Sequence, residues 1–341
     1  MSSRFGGEDR VELAHGAGGR AMHGLIRDLF HRHLGNAELA RGEDAAVLPA
    51  PGERLACATD GYVVAPRFFP GGDIGALAVH GTINDLACRG ARPLWLAVGF
   101  ILEEGLPLAE LDAIVASMAG AAASAGVVVV AGDTKVVERG KGDGVFVTTT
   151  GIGAVPAGVD LGAHRIRTGD AVVLSGSLGD HGVAVMAERS GLAFSTELRS
   201  DTAALADLAA AMRAAVPDLH ALRDPTRGGV AATANEIAHA AGLAIRLDEA
   251  ALPIKAAVRG ACELLGLDPL TVANEGKLMA FCTATDADAL VDAMRAHPLG
   301  RDAALVGEVA AAPAGLVELA TSFGGRRVVD WLAGEPLPRI C

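Results

Sequence analysis

The sequence predicts an α+β protein with two domains and a short extended tail. Its 341 residues, 51% of them hydrophobic and 21% charged, are enough for two domains with well-filled cores. Short apolar runs alternate with stretches of helical spacing in both halves, which is typical of mixed α and β structure. Residues 153–168 contain proline and several glycines without a sustained period, so they are the candidate linker. We therefore predict domains at 1–155 and 165–329 and a tail at 330–341.

The first half is predicted to follow the order β, β, α, β, α, β, β after a loop and a helix. His15-Gly16-Ala17-Gly18-Gly19 is a glycine-rich loop, and apolar residues then recur at helical spacing from Met22 to Phe30. Such a loop lets backbone amides approach an anion, although a plain turn is the commoner explanation of this pattern alone. The elements are expected at 45–49, 54–59, 73–89, 94–102, 108–125, 127–130 and 145–152.

The second half is predicted to form another α+β unit. A strand at 171–174 leads into Gly179-Asp180-His181-Gly182 and a helix. Asp224-Pro225-Thr226-Arg227-Gly228-Gly229 precedes a helix at 230–241 and is a second glycine-rich helix entrance suited to an anion. Asn274-Glu275-Gly276-Lys277 leads into a strand at 278–282. Further helices are expected at 202–215, 254–266 and 286–297, and strands at 304–309, 315–320 and 326–329.

The charge of the chain argues against two classes of partner. A formal net charge of −12 and a pI near 5.3 disfavour non-specific binding to nucleic acid or to an anionic membrane surface. Any phosphate-bearing ligand must then be held by local groups or by a metal ion. Residues 113–132 are uncharged over a membrane-spanning length, but their Ala, Gly, Ser and Val content predicts a buried helix followed by a buried strand. We expect neither nucleic acid nor a membrane as a partner.

The cysteines and the first ten residues predict a cytoplasmic protein. The cysteines at 57, 88, 262, 282 and 341 are odd in number, widely spaced and free of any CxxC pair, so they are expected to be reduced. Residues 1–10 lack the apolar core of a signal peptide.

Four acidic residues in the first domain predict a magnesium nucleotide site. Each lies by a turn or strand end, and oxygen ligands of this kind hold Mg²⁺ between carboxylates and phosphates. Lys135, two residues after Asp133, could bind a phosphate oxygen. Each acid alone is more commonly a solvated turn residue, so the prediction depends on the set and on the two glycine-rich helix entrances. The four are Asp44, Asp60, Asp85 and Asp133.

The last residue of the chain, Cys341, is the candidate reactive group. Pro336 and Pro338 favour an extended backbone, so the end of the chain is expected to project as a short arm. An arm of about a dozen residues could reach about 40 Å, enough to alternate between an internal site and an external partner. The α-carboxylate of Cys341 disfavours a thiolate, whereas the positive charge of Arg339 favours one. A partner pocket should therefore set the reactivity of the thiol. The alternative is a frayed tail that ends in cysteine by chance.

These motifs together resemble the HypE family of hydrogenase maturation proteins over nearly the whole chain. The most specific part is the terminal Pro338-Arg339-Ile340-Cys341. The internal motifs are shared in part with the wider superfamily of aminoimidazole ribonucleotide (AIR) synthetase and selenophosphate synthetase. Besides those quoted above, they are Phe69-Pro70-Gly71-Gly72, Asn84-Asp85 and Gly132-Asp133-Thr134-Lys135-Val136-Val137.

The resemblance implies a fold, an activity and partners. The fold would be PurM-like (AIR synthase-like), with an N-terminal mixed sheet through which the protein forms a homodimer. The cofactors would be ATP and Mg²⁺. A carbamoyltransferase, HypF, would load a carbamoyl group on Cys341, and ATP-dependent dehydration would turn it into a thiocyanate. The cyanide would pass through an iron-scaffold complex, HypC–HypD, to the iron of a [NiFe] hydrogenase.

The resemblance also implies roles for individual residues. The catalytic residues would be Cys341, Lys135 and Glu275, the last as the base that removes the nitrogen protons after ATP has activated the carbonyl oxygen. Metal binding would fall to Asp44, Asp60, Asp85 and Asp133. Family members often show paired aspartates where this chain has Glu43-Asp44 and a hydroxyl residue where it has Gly61. The metal roles of Glu43 and Asp60 are therefore less secure than those of Asp85 and Asp133. The nucleotide would be bound by Gly16, Gly18, Gly19, Asp60, Asn84, Gly132, Asp133, Thr134, Lys135, Arg227, Gly228 and Lys277.

Two other functions compete with this one. A selenophosphate synthetase-like kinase would share the ATP site but would carry a reactive cysteine near the N-terminus, and no cysteine precedes Cys57. A non-catalytic protein would use the tail only as a docking peptide and would have a degenerate nucleotide site. Deletion of Cys341 separates the docking protein from the carbamoyl dehydratase, because docking should survive the deletion and carbamoyl loading cannot.

Overall fold

The computed structural model describes residues 9–17, 19–42, 45–191, 198–331, 334 and 337–341. Gly18 and Asp44, two of the predicted ligand residues, lie outside the described residues. The first half of the chain is built on a four-stranded sheet, and the second half on a seven-stranded sheet. The helices are α1 (Arg20–Leu25), α2 (His31–Leu34), α3 (Ile74–Cys88), α4 (Leu108–Ser124), α5 (Asp180–Ser190), α6 (Ala206–Ala215), α7 (Gly229–Ala241), α8 (Ala256–Leu265) and α9 (Ala287–Ala296), with a π-helical segment, Ile26–Phe30, between the first two.

The five strands predicted in the second half are all present, together with two that were not predicted, and the first half differs more from the prediction. The strands are β1 (Leu55–Tyr62), β2 (Phe68–Phe69), β3 (Gly72–Asp73), β4 (Arg92–Glu103), β5 (Val128–Val137), β6 (Val145–Ala154), β7 (Asp170–Leu174), β8 (Ala221–Arg223), β9 (Ala244–Asp248), β10 (Met279–Thr283), β11 (Ala304–Ala310), β12 (Val317–Ala320) and β13 (Arg326–Val328).

The first sheet is mixed, in the order β1-β6-β4-β5. β6 runs antiparallel to both β1 and β4, whereas β5 runs parallel to β4. Helices α3 and α4 cover one face, where Leu96 and Val98 are buried against Leu77 and Leu111. α3 begins at Asp73, whose carboxylate accepts hydrogen bonds from the backbone N–H groups of residues 75 and 76 at 2.7 and 3.2 Å.

The other face of this sheet is open in the single chain. Four half-exposed or exposed side chains align across the four strands, because Cys57 pairs in register with Ile152, Ile152 with Trp95, and Trp95 with Val128. Val128 is 43% exposed, which is unusual for valine in a sheet that has helices to pack against. We call this row of four residues the open-face row.

The second sheet has the order β13-β12-β9-β11-β7-β10-β8 and is antiparallel except for the pair β9 and β12. Phe281 and Met279 of strand β10, which lies between β7 and β8, are fully buried. Helix α7 packs on one side of this sheet, and helices α6 and α9 on the other. The sheet places the loop after β8 and the loop before β10 next to the first domain, where Asp224 lies 3.6 Å from Cys88 and the carbonyl of Glu275 accepts a hydrogen bond from Asn84.

Two strand predictions in the first half were wrong. Residues 45–50 form no strand, because Pro49 and Pro51 cannot complete a ladder and Val47 is 78% exposed with no neighbouring strand. Gly132-Asp133-Thr134-Lys135 was expected after a strand that ends at residue 130, but it lies inside β5. Parallel pairing with β4 continues as far as Val137 and extends the strand.

Candidate functional site

The end of the tail is docked in this structure, unlike the projecting arm that the prolines suggested. Leu337 is 4% exposed and Ile340 is 2% exposed, and both pack in the core cluster that contains Leu77 and Val272. The side chain of Cys341 is half-buried and packs against the same cluster. The apolar side chains of the tail therefore have a receptor site within the protein.

Backbone hydrogen bonds hold the docked tail against residues 63–65. The N–H of Val63 donates to a carboxylate oxygen of Cys341 at 3.1 Å, and the N–H of Ala65 donates to the carbonyl of Arg339 at 3.2 Å. The guanidinium of Arg339 donates to the carbonyl of Val63 at 3.0 Å and pairs with Asp143. The terminal cysteine is thus held beside the residues that follow β1 in the chain.

Arg189 on α5 binds the tail from the opposite side. Its Nη1 and Nη2 atoms donate to the carbonyls of Pro338 and Arg339, each at 2.7 Å, while its Nε donates to the carbonyl of Ala65 at 2.7 Å. One guanidinium therefore joins the tail to the segment that receives it. Charge-assisted hydrogen bonds of this kind are stronger than neutral ones.

His181, also on α5, joins the tail to the second domain. Its Nε2 lies 2.8 Å from the carbonyl oxygen of Ile340, and its Nδ1 lies 2.8 Å from the hydroxyl of Ser200. Burial lowers the pKa of His181 despite the opposing charge of Asp201 and the bond to the carbonyl. The ring is therefore neutral. Since a carbonyl only accepts, Nε2 carries the proton and Nδ1 accepts from the hydroxyl.

A group of acids lies where the two domains meet, close to Tyr62 at the end of β1. Burial first, and then the charges of Asp224 and Asp60, raise the pKa of Asp85 to about 7. Burial and the charges of Asp224 and Asp201 raise the pKa of Glu275 well above its usual value. Burial and the charges of Asp60, Glu275 and Asp85 also contribute to a strongly raised pKa of the Tyr62 hydroxyl. We call Asp60, Asp85, Asp201, Asp224 and Glu275 the acidic cluster.

The acidic cluster has too few cations to neutralise it. Lys277, 9% exposed, lies 3.0 Å from Asp201, and the charge of Arg227 opposes the rise in the pKa of Glu275. One oxygen of Glu275, Oε1, is buried without a hydrogen-bond partner among the described residues. Groups of this kind usually have a partner, so this arrangement fits an added cation.

Magnesium fits this cluster as a shared site and not as an all-protein cage. In the part of the chain that is described, no three histidine, cysteine, aspartate or glutamate side chains already surround a common metal position. Mg²⁺ commonly takes only one or two carboxylates and completes its shell with phosphate oxygens and water. Asp85 and Asp60 are the predicted ligands that the structure places in the cluster, and Thr82 donates a hydrogen bond to Asp60 at 2.7 Å.

The structure separates Asp133 and Lys135 from the acidic cluster. They form an exposed ion pair at 2.7 Å, and the hydrogen bond from Lys135 lowers the pKa of Asp133. Asp133 pairs in register with Gly99 on the open face, whereas Asp60 contacts α3 on the covered face. β1 and β5 are also three strand spacings apart, or about 14 Å. Within one chain, the predicted metal ligands Asp60 and Asp133 therefore do not belong to one site.

Asp133 instead lies with the first glycine-rich loop. A side chain at Gly16 would meet the backbone nitrogen of Val136 at 2.8 Å, so this loop packs directly on β5. Gly19 caps α1, and beside it an apolar cavity opens under α1 and α2. The cavity is lined by Met22, Ile26, Phe30, His31, Leu34, Leu39, Val98, Phe100, Val129, Ala131, Gly132, Asp133 and Thr134.

The second glycine-rich helix entrance lies at the acidic cluster. Gly228 and Gly229 both adopt left-handed conformations, with φ of 72° and 59°, and a side chain on Gly229 would lie 2.5 Å from the carbonyl oxygen of Leu270. These glycines let the chain turn from Arg227 into α7 against that neighbouring loop. The start of this 13-residue helix is thereby placed beside Asn274 and Glu275.

Asn84 joins the two domains. Its amide donates to the carbonyls of Ala203 and Glu275, at 3.0 and 3.2 Å, and its oxygen accepts from the N–H of Leu205 at 2.8 Å. Its predicted contact with a nucleotide would therefore compete with these bonds. The carbonyl of Glu275 is fixed by the same contact.

Several residues at the site had no predicted role. His181 and Asp224 lie in motifs that the sequence analysis singled out, but nothing in their spacing indicated what they touch. Arg189, Ser200 and Asp201 lie in no motif, and only the folded chain brings them to the tail and the acidic cluster. No helix in the described ranges has the length and apolar character needed to cross a membrane.

Comparisons with known proteins agree with this architecture. Residues 42–155 match the family model "AIR synthase related protein, N-terminal domain", and residues 167–319 match the corresponding C-terminal domain. The chain is 60% identical over 333 residues to the carbamoyl dehydratase HypE of Cupriavidus necator, with 97% of this chain and 95% of the relative covered. It is 50% identical over 338 residues to the carbamoyl dehydratase HypE of Escherichia coli, with 98% and 100% covered.

Comparison with solved structures indicates the same fold and the same family. A crystal structure of the hydrogenase maturation protein HypE in complex with ATP superimposes with a TM-score of 0.93 at 48% identity, covering 96% of this chain and 99% of that one. HypE from a crystal structure of a HypE–HypF complex superimposes with a TM-score of 0.79 at 44% identity, covering 90% and 99%. The predicted PurM-like fold and the predicted family are both confirmed: this chain belongs to the HypE family of hydrogenase maturation proteins.

Proposed function

We propose that this protein is an ATP-dependent carbamoyl dehydratase that acts on its own terminal cysteine. The product, an S-cyanate on Cys341, would supply the cyanide ligand of a [NiFe] hydrogenase. The observation that carries the proposal is the docked tail. The carboxylate of Cys341 accepts a hydrogen bond from the N–H of Val63, the residue after Tyr62. Burial, and then the charges of neighbouring acids that include Glu275 and Asp85, raise the pKa of the Tyr62 hydroxyl. Relatives of the chain carry the name of this activity.

The reaction balances with ATP as the only co-reactant. The carbonyl oxygen of the S-carbamoyl group attacks the γ-phosphorus, the bond to the bridging oxygen breaks and ADP leaves. The bond between the carbon and the phosphorylated oxygen then breaks and releases phosphate as two protons leave nitrogen, which forms the C≡N triple bond. The oxygen of the amide departs in phosphate, so the peptide loses the mass of one water. Phosphoryl transfer of this kind depends mainly on positioning and on charge stabilisation.

The acidic cluster would hold the magnesium ion that accompanies ATP. Asp60, Asp85 and Asp224 are the candidate carboxylates, because the charges of Asp224 and Asp60 contribute, after burial, to the raised pKa of Asp85. The ion, when bound, neutralises phosphate charge. Lys277 and Arg227 supply cationic groups at the same place. The apolar cavity beside Gly132 and Thr134 is a candidate for the adenine ring, because it offers apolar walls next to a glycine-rich loop.

Glu275 remains our candidate for the base. Burial, followed by the charges of Asp224 and Asp201, raises its pKa and so favours the protonated carboxyl, which must lose its proton before it can accept one from nitrogen. A cation bound among the neighbouring acids lowers the pKa of all of them. Glu275 would therefore be active as a base only when the nucleotide and its metal are bound.

The partners follow from the position of the cysteine. HypF would load the carbamoyl group on an undocked arm, and the HypC–HypD complex would accept the cyanide; both require Cys341 to leave the site described above. The HypE–HypF complex among the similar structures supports the first of these. We also infer a cytoplasmic location, since the protein uses free thiols and ATP.

The open-face row supports a homodimer. Ile152, Trp95 and Val128 form an apolar surface across the sheet, and a second copy of the same sheet could cover it face to face. Asp133 and Lys135 lie on this face as well, so a partner subunit would meet them. The two rival functions lack such support: no described cysteine precedes Cys57, and a docking peptide has no need of the acidic cluster.

One measurement tests the central proposal. After loading by a carbamoyltransferase, intact-mass analysis of the C-terminal peptide should show the carbamoyl adduct, and ATP with Mg²⁺ should remove the mass of one water from it. Loss of that water without ATP would show that phosphorylation is not the activating step. Deletion of Cys341 should abolish loading, and a variant that still acquires the adduct would place the acceptor elsewhere.

A further inference from the structure

A cavity of about 570 Å³ lies between the two domains, away from the acidic cluster and the tail. Its walls come from three segments of the first domain and from one face of α6 in the second. Pro51, Pro93 and Pro156 give part of the wall an apolar surface. The lining residues are 51–54, 91–93 and 154–157 with Ala206, Asp207, Ala210 and Arg213. This volume is in the range of small-molecule sites, roughly 300–1,000 Å³.

Three arginines line the cavity, and the charge of one of them, Arg54, acts on Asp160, whose pKa is lowered chiefly by the hydrogen bond from His164. Arg54, Arg92 and Arg213 form no ion pair with any described residue, although Glu53 and Asp207 also line the walls. Arg54 donates one hydrogen bond, from Nη1 to the carbonyl of Val159 at 2.7 Å, which leaves the rest of its guanidinium available. Three such arginines around one cavity are unexpected in a chain with a net charge of −12.

Arg213 gives a second and independent indication of a ligand. Its Nε is buried and has no hydrogen-bond acceptor among the described residues. Burial without a compensating carboxylate lowers the pKa of its guanidinium. The side chain packs beside Gly90, where an added Cβ would lie 3.5 Å from Arg213 Cδ. A buried cationic donor of this kind costs stability unless something accepts its hydrogen bond.

We propose that this cavity binds a phosphate-bearing small molecule through Arg54, Arg92 and Arg213. The planar guanidinium fork suits phosphate oxygens, and a phosphate group has enough acceptors to engage more than one fork. The cavity exceeds the size of inorganic phosphate, so the ligand has a body that contacts the proline-lined wall. The inference is independent of the dehydratase function, because none of these residues takes part in that site.

Titration calorimetry with inorganic pyrophosphate tests the proposal. Arg213→Met and Arg92→Met keep the aliphatic stems and remove the guanidinium groups, and each should weaken binding about ten-fold or more, the effect of one charge-assisted hydrogen bond. Arg301→Met removes an exposed arginine outside the cavity and should change nothing. Lys277→Met, at the acidic cluster, should leave this binding intact. Citrate, as a carboxylate probe, should bind more weakly than pyrophosphate.

Three outcomes would overturn the proposal. Binding that disappears in Lys277→Met and persists in Arg213→Met would place pyrophosphate only at the nucleotide site. Tighter binding of citrate than of pyrophosphate would replace phosphate by carboxylate as the ligand chemistry. No binding of either anion at millimolar concentration would mean that water satisfies Arg213. A crystal grown with pyrophosphate should show it against Arg213 Nε, while ATP turnover in the arginine variants should stay at the wild-type rate.

Discussion

The Nε2 atom of His181 lies 2.8 Å from the carbonyl oxygen of Ile340, the residue before the terminal cysteine. The other ring nitrogen bonds Ser200, and the next residue, Asp201, accepts a hydrogen bond from the N–H of Glu275 at 3.0 Å. A short chain of contacts therefore links the tail to the segment that carries the candidate base. Withdrawal of the tail leaves His181 Nε2 without its acceptor, so the docked and undocked states differ at the site itself.

Arg189→Met should release the tail without unfolding the protein. The variant loses three hydrogen bonds, two of them to tail carbonyls, while its apolar stem can stay packed. We expect Cys341 to react with a maleimide roughly ten-fold faster, as measured by mass spectrometry of the C-terminal peptide. Arg259→Met, an exposed arginine on α8, is the control. Equal rates in Arg189→Met and the wild type would show that this residue does not hold the tail.

Glu275→Gln should separate loading from dehydration. The amide keeps the shape of the carboxyl, and burial raises the pKa of Glu275 and so favours its uncharged form; folding, ATP binding and carbamoyl loading should therefore be preserved. The loaded peptide should then fail to lose water when ATP and Mg²⁺ are added, as followed by intact-mass analysis over time. A normal rate of water loss would remove Glu275 from the mechanism.

Asp85→Asn should reduce turnover yet leave the ligand-free protein at least as stable. The pKa of about 7 means that Asp85 is charged at pH 8 among other acids, and this charge is unfavourable until a cation binds. Thermal unfolding at pH 8 should give a melting temperature no lower than that of the wild type, while Mg-ATP turnover falls about ten-fold or more. A large loss of stability would assign Asp85 a structural role instead.

Asp133→Asn tests the division of the predicted metal ligands. Its exposed ion pair with Lys135 contributes little stability, so the protein should fold normally. We expect impaired turnover only if the open face of one subunit reaches the site of another. Reduced turnover of the variant dimer, with no further reduction when that dimer is dissociated, supports this arrangement. If the variant keeps the wild-type turnover, Asp133 has no part in catalysis.

His80 should make the protein sensitive to acid. Burial lowers the pKa of this α3 residue to about 4 from 6.5, so the unfolded chain takes up a proton more readily than the folded one. Its contribution is complete above pH 6.5 and is lost as the pH falls towards 4, at most about 3 kcal/mol. His80→Asn, which can still bond Thr202, should flatten the fall of melting temperature over that range. His239→Asn, an exposed control on α7, should not.

Val128→Lys should disrupt the homodimer. Lysine in the open-face row would bury an unpaired charge between two sheets, which is strongly unfavourable. Multi-angle light scattering at micromolar concentration should then show a monomer, against a dimer for the wild type. Val47→Lys introduces the same change at a residue that is 78% exposed and outside the sheet, so it should remain dimeric. A monomeric wild type would contradict the predicted assembly.

Much of the fold could be predicted because its elements have clear periods. α3, α4 and β10 lie within two residues of the expected bounds, since buried runs and capping residues are local signals. The exceptions depend on pairing partners. β5 extends through Asp133 because β4 lies beside it, and β8 and β9 were not predicted because their three and five residues carry no distinct pattern.

The candidate site could be predicted only in part because strand register decides which face a side chain occupies. Asp60 and Asp133 were both predicted as metal ligands, but alternation along paired strands places them on opposite faces of one sheet. The docking of the tail had a weak signal in Leu337 and Ile340, two apolar residues at the end of a proline-rich segment. Their receptor site combines α5 with the end of β1, and only the folded chain brings those together.

The burial of Leu337 and Ile340 makes the arm a removable part of the hydrophobic core. These side chains pack in a cluster that contains Leu77 from one domain and Val272 from the other. Each fully buried aliphatic side chain contributes about 1.5–3 kcal/mol, so withdrawal of the arm weakens the whole molecule as well as opening the site. The melting temperature should therefore report where the cysteine is. A partner that draws the cysteine out must offer comparable apolar surface in exchange. This requirement disfavours reaction of the thiol with molecules that lack such a surface.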